Sequence, residues 1–220
     1  MSHHPQVIVF DIETCPQRPE GFSAAQRARF DKAFRRRRGK SIHESLGKTK
    51  ATVRALSPYL GWICCISVCR YVEGAESPRP THSYACAEHD GEADLLARFW
   101  NDMSQVHDRV TWVSFNGKNF DAPYLRLRSL ASEVEPTREG LLNTHKWRDT
   151  PHTDIWRYAE SAGLADYCDL LGVSSPKGDM DGSDVWAAVQ EGRLADVTRY
   201  CEKDAFATLR CYLRSRHTFA

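Results

Sequence analysis

Four carboxylates and one phenol fall at spacings that would let them work together. Asp11 and Glu13 lie two residues apart, directly after the apolar run Val7-Ile8-Val9-Phe10. In an extended segment residues two apart point to the same side, so both side chains can face one site. A surface strand end is the ordinary explanation of D-x-E. A carboxylate pair that follows a buried run is nevertheless costly unless something cationic compensates it. Asp121 stands where a helix should begin, and taken alone it reads as an N-cap. Tyr200 and Asp204 are four apart, which puts phenol and carboxylate on one helix face, a turn apart. Both border an apolar stripe through Cys201 and Ala205, and aspartate is disfavoured in mid-helix. Gathered carboxylates are oxygen ligands for hard divalent cations, Mg²⁺ being satisfied by a few of them plus water and phosphate. Without a cation they would repel one another and raise some of their pKa values.

The elements that must position these groups follow from periodicity. Val7–Phe10 is apolar and β-branched, and reads as a buried central strand ending at Asp11-Ile12-Glu13, before Pro16 and Pro19. Further strands are expected at about 62–72, near 81–86 and at 110–115, the last followed by the turn Asn116-Gly117. Leu95, Leu96, Phe99, Trp100, Met103 and Val106 share one face of a helix over 92–106. Another helix should begin near Asp121-Ala122-Pro123, since proline suits a first turn. Residues 132–152 read as loop, 154–162, 163–171 and 183–190 as short helices, and 193–215 as the long last helix. In 154–162, Asp154 is an N-cap. Residues 21–56 have the composition of short helices broken at Gly39 and Gly47, an insertion after the first strand. Strands preceding helices, with no internal repeat, predict one α/β domain over 1–220.

Composition narrows the class further. With 41% hydrophobic and 27% charged residues in 220, the chain is an ordinary globular sequence, not a collagen, coiled-coil or disordered one. No run of eighteen apolar residues exists, which rules out a membrane-spanning helix. The first residues lack a signal-peptide pattern, so the expected setting is the cytoplasm. Eight cysteines form no C-x-x-C, which argues against structural zinc and for reduced, buried thiols. The formal net charge of +1 conceals an asymmetry: residues 17–57 hold twelve Lys/Arg and three Asp/Glu, a net of +9 against −8 elsewhere. A compact basic patch on an acidic body is the footprint of a polyanion binder. The run Arg35, Arg36, Arg37 and Arg38 is its centre, although a solvated basic helix explains a charge run by itself.

Order, spacing and flanking residues together resemble the DEDD superfamily of 3′–5′ exonucleases. V-I-V-F-D-I-E-T, N-G-K-N-F-D-A-P-Y-L and Y-C-E-K-D follow that family's pattern of strand plus D-x-E, N-G-x-x-F-D-x-P-x-L and Y-x-x-x-D. Position 199, where the histidine branch would carry its base, is Arg199, so the tyrosine branch is indicated. The resemblance extends over the whole chain to proteins similar to the proofreading domain of family-B DNA polymerases. It includes A-L-S-P-Y-L-G-W-I-C-C-I and K-G-D-M-D-G-S-D-V-W.

What the resemblance implies is a ribonuclease H-like α/β fold, a mixed sheet with strand one central and helices on both faces. The implied activity is metal-dependent 3′–5′ cleavage of single-stranded DNA, releasing nucleoside 5′-monophosphates. Two Mg²⁺ or Mn²⁺ ions would balance the four carboxylates and clamp the phosphate from roughly 4 Å apart. The family pattern has Asp11 bridging both ions, Glu13 and Asp204 on the nucleophile-side ion, and Asp121 on the leaving-group side. Tyr200 would orient the attacking water, its ordinary pKa near 10 making it a poor base. Around the middle motif Asn116, Phe120 and Tyr124 are candidates to meet the terminal bases, aromatic rings by stacking. Phe115 is expected in the core. Lys177 in Ser175-Pro176-Lys177-Gly178 is placed to reach a phosphate, as are Arg35 to Arg38. The expected partner is single-stranded nucleic acid, DNA favoured over RNA, bound by a monomer without a membrane. The alternatives are an exoribonuclease and a non-catalytic nucleic-acid-binding module on the same scaffold.

Overall fold

A computed structural model describes residues 6–38, 46–107, 109–145, 148, 151–176, 178 and 180–218. Among these residues the strands β1 (Gln6–Pro16), β2 (Gly61–Val72), β3 (His82–Ala85), β4 (Val110–Ser114) and β5 (His152–Asp154) form one sheet. Its order is β3-β2-β1-β4-β5, with β1 central. The pairs β1–β2 and β2–β3 are antiparallel, and β1–β4 and β4–β5 are parallel. The helices are α1 (Ala24–Arg38), α2 (Leu46–Ala55), α3 (Glu92–Ser104), α4 (Asp121–Ala131), α5 (Leu164–Leu171), α6 (Val185–Gln190) and α7 (Leu194–Ser215). No helix among the described residues is long and apolar enough to cross a membrane.

Alternation along β1 decides which side does what. Its even positions Ile8, Phe10 and Ile12 join the cluster built with Leu95, Phe99 and Trp100 of α3 and Leu125 of α4. Its odd positions Val7 and Val9 join Ala205 and Leu209 of α7 and Cys168 of α5. Further along the same face Cys15 joins Val185 of α6 and Val197 and Cys201 of α7. Asp11 and Glu13 therefore sit in the seam between two apolar clusters, facing α7.

Two expectations about these strands need correction. β1 does not end at the carboxylates. It pairs with β2 as far as Pro16, while its parallel pairing with β4 stops at Val9↔Val113. Asp11 and Glu13 thus lie mid-strand, just where one neighbour leaves. Opposite them β2 carries a bulge, the register shifting between Glu13 and Thr14, and bulges re-aim side chains beside sites. Residues 152–154 are a fifth strand rather than loop leading into a helix over 154–162. Only a 3₁₀ turn, Ile155–Tyr158, follows it.

The basic insertion is helical, as its composition predicts. Ser23 and Gln26 bond each other's backbone N–H reciprocally (3.2 and 2.9 Å), an N-terminal capping box for α1. The arginines at its other end favour the negative helix terminus. All fifteen residues of α1 stay at least partly exposed. It is tied down through Gln26 Nε2 to the Tyr59 carbonyl (3.0 Å) and Arg29 over the Tyr59 ring (3.9 Å). The insertion rejoins the sheet at Gly61. A Cβ there would lie 2.3 Å from the Tyr124 hydroxyl, 2.8 Å from the Arg54 carbonyl and 2.9 Å from the Cys15 carbonyl. All eight cysteines are free thiols.

Candidate active site

Asp121 is brought to β1 by the turn that ends β4. Asn116 adopts a left-handed φ of 64°, and Gly117 passes so close to Ser114 that a Cβ would lie 2.4 Å from its Oγ. The backbone N–H groups of Asn116 and Lys118 donate to Asp154 (2.7 and 2.9 Å), which also accepts from Trp156 (3.2 Å). Asp154 is the cap expected of it, but it also staples the turn that carries Asp121. Asp121 is the first residue of α4 and not its N-cap, and its Oδ1 accepts from the backbone N–H of Ile12 at 3.1 Å, between the two acidic residues of β1. That long-range bond replaces the N-cap reading.

On α7, the Tyr200 hydroxyl stands beside the Asp204 carboxylate one turn on. Cys201 donates from Sγ to Asp11, 3.4 Å from Oδ2. Ligand atoms of Asp11, Glu13 and Cys201 lie within 4.8 Å of one another. Arg199, at the position of the alternative base, is exposed and paired with Asp196.

The electrostatics are those of a cluster short of positive charge. Burial, then Asp121 and Asp204, hold Asp11 well above the usual carboxylate range. Burial, then Asp11 and Asp204, do the same to Glu13. Burial lifts Asp121 to about 7, with Asp154 adding to the rise. Burial lifts Asp204 to about 6 against the bond from Tyr200. Tyr200 is raised by burial and by Asp204, so it stays a neutral hydroxyl. Burial likewise keeps the Cys201 thiol protonated, a hydrogen-bond donor and not a soft thiolate ligand. Four clustered, at least partly buried carboxylates with raised pKa values fit hard divalent cations.

Of the four carboxylates Glu13 opens on a cleft of about 690 Å³, and Asp204 lines a smaller one beside it, with Tyr200 lining both. Glu13, Thr14 and Tyr200 form the base of the larger cleft and Phe120 one wall, while Arg37, Lys48 and Arg54 come from the insertion above. Lys48 bridges to Asp184 before α6 (3.3 Å), joining the roof to the opposite wall. Of the arginine run Arg37 lines this cleft, and Arg35, Arg36 and Arg38 are exposed. Lys48 and Arg54 were not singled out from the sequence; their signal was only the summed charge of their segment.

Three other candidates fare differently. Tyr124 is 1% exposed, and its hydroxyl donates to the Ala55 carbonyl at 2.8 Å. It therefore has no face for a base and instead pins α2 to α4, which corrects its assignment as a nucleic-acid contact. The partly exposed Asn116 holds the turn, its Oδ1 accepting from Asn119 Nδ2 at 2.9 Å. Lys177 lies outside the described residues. Phe115 packs against the core near Tyr167, as expected.

Sheet order, helices on both faces and a carboxylate floor at the central strand define a DEDD-type 3′–5′ exonuclease on a ribonuclease H-like fold. The family model described as a predicted 3′–5′ exonuclease related to the exonuclease domain of PolB matches residues 59–220, and the chain belongs to that family. The matched stretch contains Asp121, Tyr200 and Asp204; Asp11, Glu13 and the basic insertion precede it. The family B DNA polymerase from the hyperthermophilic archaeon Pyrobaculum calidifontis superimposes with a TM-score of 0.64 over 96% of this chain, at 17% identity. The chain spans 24% of that polymerase's length. A product-bound exonuclease I superimposes with a TM-score of 0.48 at 12% identity, over 97% of this chain and 44% of its own. No curated protein matches the sequence.

Proposed function

We propose that the chain is a metal-dependent exonuclease that removes nucleoside 5′-monophosphates from the 3′ end of single-stranded DNA. The observation that carries this reading is the convergence of Asp11, Glu13, Asp121 and Asp204, with Tyr200, beneath a roof bearing Arg37, Lys48 and Arg54. The four carboxylates are the proposed ligands of two Mg²⁺ or Mn²⁺ ions. Such ions, when bound, activate water and stabilise the leaving 3′-oxygen.

The chain's own groups do the rest. Tyr200, a neutral hydroxyl beside Asp204, hydrogen-bonds the attacking water and fixes its orientation without removing a proton. Phe120, partly exposed in the cleft wall, stacks on the terminal base. The insertion, residues 17–57, acts as the strand-gripping part of a single monomeric domain, its cations meeting the phosphates. Asp154 and Gly117 hold Asp121 where the bond to Ile12 can form.

Digestion of matched, end-labelled DNA and RNA oligonucleotides with Mg²⁺, Mn²⁺ or chelator tests the reading. The expected result is a cation-dependent ladder from the 3′ end, faster on DNA. Asp11→Asn should slow it by about a thousandfold, the worth of several kcal/mol of charge stabilisation. Faster digestion of RNA reverses the substrate assignment. An Asp11→Asn protein that cuts at the wild-type rate removes the metal assignment.

A further inference from the structure

Beside the catalytic cleft lies a second one, of about 560 Å³, a size typical of ligand sites. The two adjoin: Trp186 and Gln190 of α6 line both. Trp186 rests on the cluster of Trp62, Val185 and Cys201 and is left partly exposed between the clefts. The far side of the second cleft is the chain that continues β1, with Gln17 and Arg18, and Phe22 beyond. The other side is Glu88 and His89.

We propose that this second cleft is a subsite for one unpaired nucleotide of the substrate strand, 5′ of the scissile linkage, its base stacked on Trp186. The inference rests on the single-strand reading above and names where that strand goes next. The lining suits a base better than a second phosphate. It offers an aromatic ring, the amide of Gln190 and the amide oxygen of Gln17, whose Nε2 donates to the Gly61 carbonyl (3.0 Å), and amides bond base edges. Its cation, Arg18, is exposed, and the lining also carries the exposed Glu88. A phosphate is thereby drawn to the Arg18 side while the neutral base enters. His89 is neutral as well: Arg128 Nη2, which can only donate, gives a bond of 3.0 Å to its Nε2. The ring proton therefore sits on Nδ1. Single-strand binders commonly pair a cationic track with aromatic platforms. Here Trp186 lines the same cleft as Arg37 and Arg54.

The test is an abasic scan. Single-stranded DNA oligonucleotides, each with one abasic nucleotide at a successive position from the 3′ end, are titrated by anisotropy in chelator, so that no cleavage occurs. Besides the terminal position, one upstream position should cost wild-type protein about tenfold in affinity, the usual scale of one stacked base. Trp186→Leu, which keeps apolar packing, should weaken the intact strand by a similar factor and abolish the penalty at that upstream position alone. Trp186→Phe, which keeps a ring, should restore it. Arg18→Ala should flatten the salt dependence by about 0.7, one phosphate contact on a single strand. A scan that is flat upstream while the intact strand binds overturns the subsite and leaves the exonuclease reading standing. So does a penalty that survives in Trp186→Leu. Failure of every single strand to bind overturns both.

Discussion

Two long helices border the catalytic cleft, and they are built differently. α7 sinks a face into the sheet from Val197 to Ser215, so Tyr200 and Asp204 ride on a helix whose position the core dictates. α1 buries no residue completely, and it is held by packing against α2, a capping box and two contacts to Tyr59. Chemistry needs donors placed within a fraction of an ångström, which packing supplies. Gripping a flexible polyanion needs charge at roughly the right height, which a lightly tethered helix can deliver. The two are written differently in the sequence as well: residue position marks the floor, and composition marks the roof.

Three measurements would sharpen or break this contrast. The largest effect is expected at the floor. Tyr200→Phe removes one hydroxyl from a fixed helix, so single-turnover cleavage at saturating protein should slow on the order of a hundredfold while strand affinity holds. An unchanged rate would leave Asp204 as the sole reacting-site group on α7 and would weaken the case for precise placement.

The second measurement is the stability of the metal-free protein against pH. The folded-state pKa values of Asp121 and Asp204 are raised, to about 7 and about 6, over an ordinary value of 3.8. Between those limits the folded protein holds more protons than the unfolded chain, so stability falls as pH rises through that window. Without metal, Tm should drop by roughly several degrees across it. Asp204→Asn should lessen the drop, and Mn²⁺ at the upper end should reverse it by binding linkage. A Tm that rises with pH across the window would contradict the crowding of the four carboxylates.

The smallest stability effect is expected in the roof. Replacing Arg35, Arg36, Arg37 and Arg38 by alanine should leave Tm nearly unchanged, as exposed substitutions do. Binding to long single strands should weaken, its salt slope flattening by roughly 0.7 per lost phosphate contact. Cleavage of a saturating dinucleotide should hardly alter. An unaltered salt slope would assign the arginines to another partner and leave the floor as it is.

Legibility in the sequence tracks how local each feature is. The odd-position rule along β1 placed Asp11 and Glu13 on one face correctly, because alternation is a property of the strand alone. The strand's true end at Pro16 depends on β2, and a period-two pattern does not report a partner. β5 escaped notice because three residues are too few to alternate. Asp121 looked like a cap because its partner, the Ile12 amide, lies 109 residues away. Tyr124 looked like a contact because it stands in the most specific motif. Its burial is set by Ala55 and Gly61, which that motif does not contain.

The contact at Gly61 also limits how this protein can vary. The first strand, the roof and α4 meet there across a gap that one methyl group would close, with three oxygen atoms inside van der Waals distance of it. An alanine would push all three apart in a single step. Charge along α1 can be rewritten with little effect on folding, so the taste for one polyanion over another is free to drift. The residue through which the insertion returns to the sheet is not: any side chain at position 61 would have to displace two backbone carbonyls as well as the Tyr124 hydroxyl.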